Sequence, residues 1–258
     1  MLIKTTNMCG MGCSHCFEDS TPAGTHMTEE TFQRTLAFTR RIESPAWKMG
    51  IPPLVLLSGG ECTEHPDILK FIELVYAEKM QPILISNGLW LNNPELRASI
   101  LRPEWSSLLI QVTYDERYYP TKPPRVSDPR IAYVDSLTLL LPLGRLARKK
   151  GDRALPTKKS PSSFNLRSLT RSLGSFQQAV CMIRARAAMG SSGHCIPSVS
   201  NDGDVMAGET RNCWKLGTVD STEQELTQAV LDMGECNRCG LETGLAPEYR
   251  QALGLSVR

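Results

Sequence analysis

Short apolar runs alternate with amphipathic stretches along the first half of this chain. Met1–Thr6 is a short, largely apolar run that reads as a strand. Thr28 suits an N-cap, and Glu29 and Glu30 suit the positive end of a helix carrying Phe32, Leu36 and Thr39 on one face. Leu54–Leu57 is a compact apolar run closed by Ser58-Gly59-Gly60, the pattern of a buried parallel strand that ends in a loop. Pro66 suits the first turn of a second helix, whose apolar face is Leu69, Ile72, Val75 and Tyr76. Ile83–Ile85, Leu108–Val112 and Leu137–Leu141 repeat the short buried strand. This alternation predicts a parallel α/β fold, in which chemistry gathers at the C-terminal ends of the strands. Further on, Asn201-Asp202-Gly203-Asp204 predicts a tight turn between Ile196–Ser200 and Val205–Ala207.

The loop after the first predicted strand holds Cys9, Cys13 and Cys16 at C-x3-C-x2-C spacing. Three thiolates hold a four-iron cluster and leave one iron open for a substrate or cofactor. Structural zinc takes four closed ligands, and no nearby His or Cys completes such a set; a mixed metal site is the alternative. His15, between two of the cysteines, faces the cluster rather than ligating it.

Leu57-Ser58-Gly59-Gly60-Glu61 and Ile85-Ser86-Asn87-Gly88 follow in order. Together with the cysteine spacing, His15 and Phe17, they resemble the radical S-adenosylmethionine (SAM) superfamily over residues 1–150. The resemblance implies a partial (β/α)6 TIM-like barrel. It also implies a [4Fe–4S] cluster on Cys9, Cys13 and Cys16 whose open iron chelates SAM, and reductive cleavage to a 5′-deoxyadenosyl radical that abstracts a substrate hydrogen. Gly59 and Gly60 let the backbone approach the cofactor's ammonium group, with Glu61 supplying charge; a strand-end turn with a surface carboxylate is the plainer alternative. Ser86 and Asn87 reach the cofactor's ribose or carboxylate, or cap the next helix. Arg145 pairs with the cofactor's carboxylate, or is a solvated arginine. Asp115, in Tyr114-Asp115-Glu116-Arg117-Tyr118-Tyr119 after the fourth strand, is the candidate proton acceptor, against a plain loop. Cys62 stands where the family has proline after its GGE motif and reads as a small buried residue.

Nine cysteines in 258 residues with no secretory signal or membrane-length run point to a reducing cytoplasm and to metal rather than disulfides. Cys195-x17-Cys213-x22-Cys236-x2-Cys239 is a full four-thiolate set, open to zinc or to a second [4Fe–4S] cluster. A hairpin flanked by cysteines resembles the twitch or SPASM extensions of the same superfamily. With Cys181-x8-Gly190-x4-Cys195 and no cysteine beyond Cys239, it implies a small α+β domain with one auxiliary cluster. Cys181 is left as an alternative ligand, a residue near substrate, or core.

The expected organisation is a barrel at 1–150, a linker at 151–180 and a cluster domain at 181–258. The net charge of +2 does not announce nucleic acid. Arg145–Arg171 carries nine Lys or Arg against one acid, Asp152, and reads as a solvated linker or as a docking strip for an acidic partner. The resemblance implies an electron donor such as flavodoxin or ferredoxin. For substrate it puts a peptide first, and a small polar molecule, aminocyclitol or sugar-like, second. A non-catalytic iron–sulfur or zinc protein is the reading from a different class.

Overall fold

A computed structural model of the protein describes residues 1–48, 50–135, 145, 166–188, 196–210 and 213–233. The expected strand at Leu137–Leu141, most of the basic stretch, and Cys195, Cys236 and Cys239 lie outside the described residues.

Five parallel strands form the frame: β1 (Leu2–Thr6), β2 (Leu54–Gly59), β3 (Gln81–Ser86), β4 (Leu109–Tyr114) and β5 (Ile131–Asp135). Between them run α1 (Glu29–Ile42), the short α2 (Ser44–Lys48), α3 (Ile68–Ala77) and α4 (Pro94–Ile100). Thr28 caps α1 as expected, its side chain accepting from the Thr31 backbone N–H at 3.2 Å. The second helix starts two residues later than its Pro66 signal suggested, because His65 turns the chain first and accepts the Asp67 N–H on Nδ1. β5 was missed: its mixed run Ile131-Ala132-Tyr133-Val134 is half-exposed beside β4, so it lacks the continuous apolar run of a doubly covered strand.

Two-residue periodicity gives the sheet two faces. Ile3, Val55, Leu57, Leu84 and Ile110 are buried against the helices, where Phe32 of α1 stacks on Phe71 of α3 at 4.0 Å between centroids. Their alternates, Leu2, Lys4, Leu56, Ser58, Ile85, Gln111 and Thr113, line the lumen of the partial barrel. Half of that inner face is therefore polar.

Among the described residues, three further helices are α5 (Leu166–Leu173), α6 (Phe176–Ala188) and α7 (Glu223–Asp232). α6 and α7 are tied by Glu223, which accepts from Ser175 Oγ at 2.7 Å and from the Gln177 N–H. The expected hairpin is present as β6 (Ser198–Val199) and β7 (Asp204–Met206), turning at Gly203 with φ +85°, and β8 (Lys215–Thr218) extends it. β6 pairs parallel to β1, Leu2 with Ser198 and Ile3 with Val199. Among the described residues the strands thus make one eight-stranded sheet, ordered β5-β4-β3-β2-β1-β6-β7-β8. No described helix is long and apolar enough to cross a membrane.

Candidate functional site

The site is built where β1, β2 and β3 end. Cys9, Cys13 and Cys16 all line the lumen, a cavity of about 400 Å³, together with Gly59, Gly60, Glu61, Ser86 and Asn87. The loop carrying the thiols is pinned by its backbone. The Cys9 N–H donates to Thr21 O at 3.0 Å, and the Gly10 N–H donates to both carboxylate oxygens of Glu64 at 2.9 and 3.0 Å. Burial pushes the thiols up, Cys9 to about 11 and Cys13 to about 12, with neighbouring acids and cysteines adding to the effect. Such thiols ionise when iron takes the place of the proton.

The two glycines dock this loop against β2. The Gly60 N–H donates to Thr6 O at 2.7 Å, and the Glu61 N–H to Met8 O at 2.8 Å. A Cβ on Gly60 would lie 2.1 Å from Met8 O, and Gly59, at φ +134°, has no room for one against Thr6 O. Close approach of backbone to backbone is the observed reason for both glycines.

Glu61 is 2% exposed, and its carboxylate is fully engaged by the protein. It accepts from Thr63 Oγ1 at 2.6 Å, the Thr63 N–H at 3.1 Å, Ser86 Oγ at 2.7 Å and the Asn87 N–H at 2.7 Å. Burial raises its pKa and these bonds pull it back. Glu61 thus ties the end of β2 to the end of β3 and aims the Asn87 side chain into the lumen, 4.0 Å from Cys9 Sγ. Cys62 is completely buried, with Sγ 3.2 Å from Ile85 O, as its reading as a small core residue requires.

Arg145 does not line the lumen. Its own N–H donates to Cys16 O at 3.0 Å, while its guanidinium donates to Cys13 O at 2.9 Å and also reaches Ser20 O and Asp19. It holds the cysteine loop from behind. His15 and Phe17 do face the lumen. The His15 ring lies 4.9 Å from Tyr118 and 5.1 Å from Tyr119, and burial holds its imidazole below the usual range.

Asp115, just past the end of β4, is buried and lines a second cavity of about 340 Å³ with Val112, Tyr114 and Tyr133. Its charge also acts on the His15 imidazole, opposing the effect of burial there, and Val134 lines both cavities. The Asp115 carboxylate accepts from the Arg117 N–H and guanidinium at 3.0 and 3.3 Å. That turn carries Tyr118 and Tyr119 back onto His15.

Sequence reasoning missed Lys4, Glu18 and Glu209, which also line the lumen. Lys4 Nζ lies 2.5 Å from Glu18 Oε1, and both residues are buried. A lysine in the middle of an apolar strand was the available signal, because buried charges are retained only with partners.

Among the described residues, no three His, Cys, Asp or Glu side chains converge on a single metal ion. Three thiols that line one lumen are a donor set that fits a cubane, in which each of three irons takes one thiolate. Of the second cysteine set, the described member is Cys213, part-exposed, with Thr210 Oγ1 at 3.4 Å from its sulfur. Cys181 packs its sulfur 3.8 Å from Ile42 O, between α6 and the end of α1.

This arrangement is that of a partial TIM-like barrel, a fold that recurs in a solved structure. No protein-family profile and no curated protein matches the sequence. The fold is similar to that of BtrN in complex with AdoMet and 2-DOIA, at TM-score 0.53 and 12% identity, covering 94% of this chain and 86% of that one. Streptococcus suis SuiB bound to precursor peptide SuiA matches at TM-score 0.47 and 14% identity over 95% and 71% of the two chains. Native anSMEcpe with bound AdoMet matches at 0.44 and 14% over 90% and 80%.

Proposed function

We propose that this chain is a radical SAM enzyme that abstracts a hydrogen atom from its substrate. One observation carries the reading: the thiols of Cys9, Cys13 and Cys16 line one lumen with Ser86 and Asn87, at the ends of parallel strands. The fold shared with BtrN, whose structure holds AdoMet, supports it. When bound, the cluster and SAM supply a reductively generated 5′-deoxyadenosyl radical. Cys9, Cys13 and Cys16 would hold three irons of that cluster. Asn87, oriented by Glu61, and the backbone at Gly59–Gly60 line the same lumen and would border the bound cofactor. His15, Phe17 and Tyr119 wall one side of the lumen. Arg145 and Glu64 keep the cysteine loop in place.

For substrate, a small polar molecule suits the lumen better than the peptide that the sequence put first. The modest volume and the polar inner-face residues Lys4, Ser58, Gln111 and Thr113 support this, as does the 2-DOIA held by BtrN. The second cysteine set, Cys195, Cys213, Cys236 and Cys239, is proposed to hold an auxiliary [4Fe–4S] cluster that accepts the substrate's spare electron, with flavodoxin or ferredoxin as the donor to the first.

Anaerobic reconstitution with iron and sulfide, followed by dithionite and SAM, is expected to yield 5′-deoxyadenosine. Cys13→Ala is expected to lower that yield at least a hundredfold. An unchanged yield would sink the assignment.

A further inference from the structure

The cysteine loop is gripped from two sides. On one side stand Gly60, Glu61 and Glu64, which bond Thr6 O, Met8 O and the Gly10 N–H. On the other runs the segment 21–27, which leads into α1. It accepts the Asn7 N–H on Thr25 O at 3.1 Å and the Cys9 N–H on Thr21 O at 3.0 Å, and its Met27 N–H donates to Thr5 O at 2.7 Å. His65 joins the two sides. It is 2% exposed, its Nε2 lies 2.8 Å from Met27 O, and its Nδ1 takes the Asp67 N–H at 2.9 Å.

These partners admit one form of the imidazole. A carbonyl oxygen only accepts, so Nε2 carries the hydrogen; a backbone N–H only donates, so Nδ1 carries none. A second proton would set two donors against each other at Nδ1 in a buried turn, where an unmade bond is costly. The His26 ring stands edge-on to His65 at 5.0 Å between centroids, and its buried Nδ1 has no hydrogen-bond partner. Burial holds the His65 imidazole below its ordinary range; the bond to Met27 O and the charge of Asp67 oppose this, while His26 adds to it. His26, from the segment before α1, and Asp67, at the start of α3, are the titratable groups that act on the ring. With the folded-state pKa lowered, the contribution of the ring is complete above about pH 6.5 and is lost as pH falls from there toward the lowered value.

We propose that His65 is the positioning residue of the cysteine loop: as the neutral Nε2–H ring it ties Met27 to the turn that opens α3, and so holds residues 7–10 between the two sides. Protonation of the ring undoes this tie and loosens the loop. Glu64 precedes His65 in the same turn, so its grip on the Gly10 N–H slackens with it. That the loop holds a cluster rests on the radical SAM reading; the tie itself does not. A phenylalanine in place of His65 would keep the packing on Phe71, 4.5 Å away between centroids, and lose both hydrogen bonds. A glutamine would set an amide donor close to the place of Nε2.

Amide hydrogen exchange on the full chain, both iron-free and reconstituted, tests this without using cofactor cleavage. The readout is the protection of residues 7–10 relative to that of β3, corrected for the intrinsic pH dependence of exchange. In the wild type this ratio is expected to fall at least threefold between about pH 7.5 and about pH 5.5. His65→Phe is expected to show the low ratio at both pH values. His65→Gln is expected to recover part of the protection and to show no pH dependence. A wild-type ratio that does not change in either form would overturn the proposal, as would wild-type protection in His65→Phe or a pH dependence that survives there. Where the His65 variants do not fold, His26→Gln decides: it keeps the tie, so the wild-type fall should persist, and its disappearance would overturn the proposal by assigning the titration to His26. Failure of the radical SAM reading shows separately, as reconstituted wild-type protein that forms no 5′-deoxyadenosine.

Discussion

Glu61 shows how much one carboxylate can organise. Four donors from two strand ends converge on it, and its second oxygen takes the Asn87 N–H. In Glu61→Gln an amide NH₂ would face one of these donors, leaving a buried group unsatisfied at a cost of about 1–3 kcal/mol. A fall of that size in unfolding free energy by denaturant titration is the expected outcome, and an unchanged midpoint would refute this role. The sequence marked Glu61, Ser86 and Asn87 as site residues, but not that they bind one another. Their spacing in the chain places each at a strand end, while the pairing depends on the β2–β3 register. Arg145 was similarly legible as a residue of the site, though its guanidinium meets loop carbonyls. Lys4 and Glu209 were not legible together, because the strand pairing that joins them spans almost the whole chain.

At the scale of elements, the loop between β1 and α1 depends on glycine more than on any side chain. Gly60→Ala would set a methyl against Met8 O, forcing apart the two backbones that position Cys9. The variant is expected to fold yet to incorporate less than half the iron of the wild type, measured as iron per chain after reconstitution. Full iron loading would show that the docking of the loop on β2 is dispensable. The strands β1 to β4 were readable as apolar runs, since one face packs on helices and the other closes a lumen. β5 was not, because its side chains are half-exposed. The helix start after Pro66 slipped because His65 and Asp67 make a local turn that hydrophobic periodicity does not encode.

For the whole molecule, the cysteine arithmetic sets the redox content. Two clusters require about eight iron per chain, by four irons per cubane. Cys213→Ser is expected to lower the content to about four while 5′-deoxyadenosine formation persists. About four iron with one zinc in the wild type would instead assign the second set to zinc. The alternation of strand and helix made the barrel legible at this scale. The continuity of the hairpin with the barrel did not show, because a parallel pairing between β1 and a two-residue strand leaves no periodic mark.

That pairing bears on how the protein is made. β1 leaves the ribosome before the other strands of the sheet, and β2 soon covers one of its edges. The other edge waits for Ser198 and Val199, about 190 residues further along the chain. Until then the nascent chain presents an open strand edge, a hazard for association with other chains. The same gap leaves the side of the lumen that Glu209 later walls open during synthesis. The mouth of the thiol pocket is thus widest while the chain is still being built, and it narrows as the hairpin arrives.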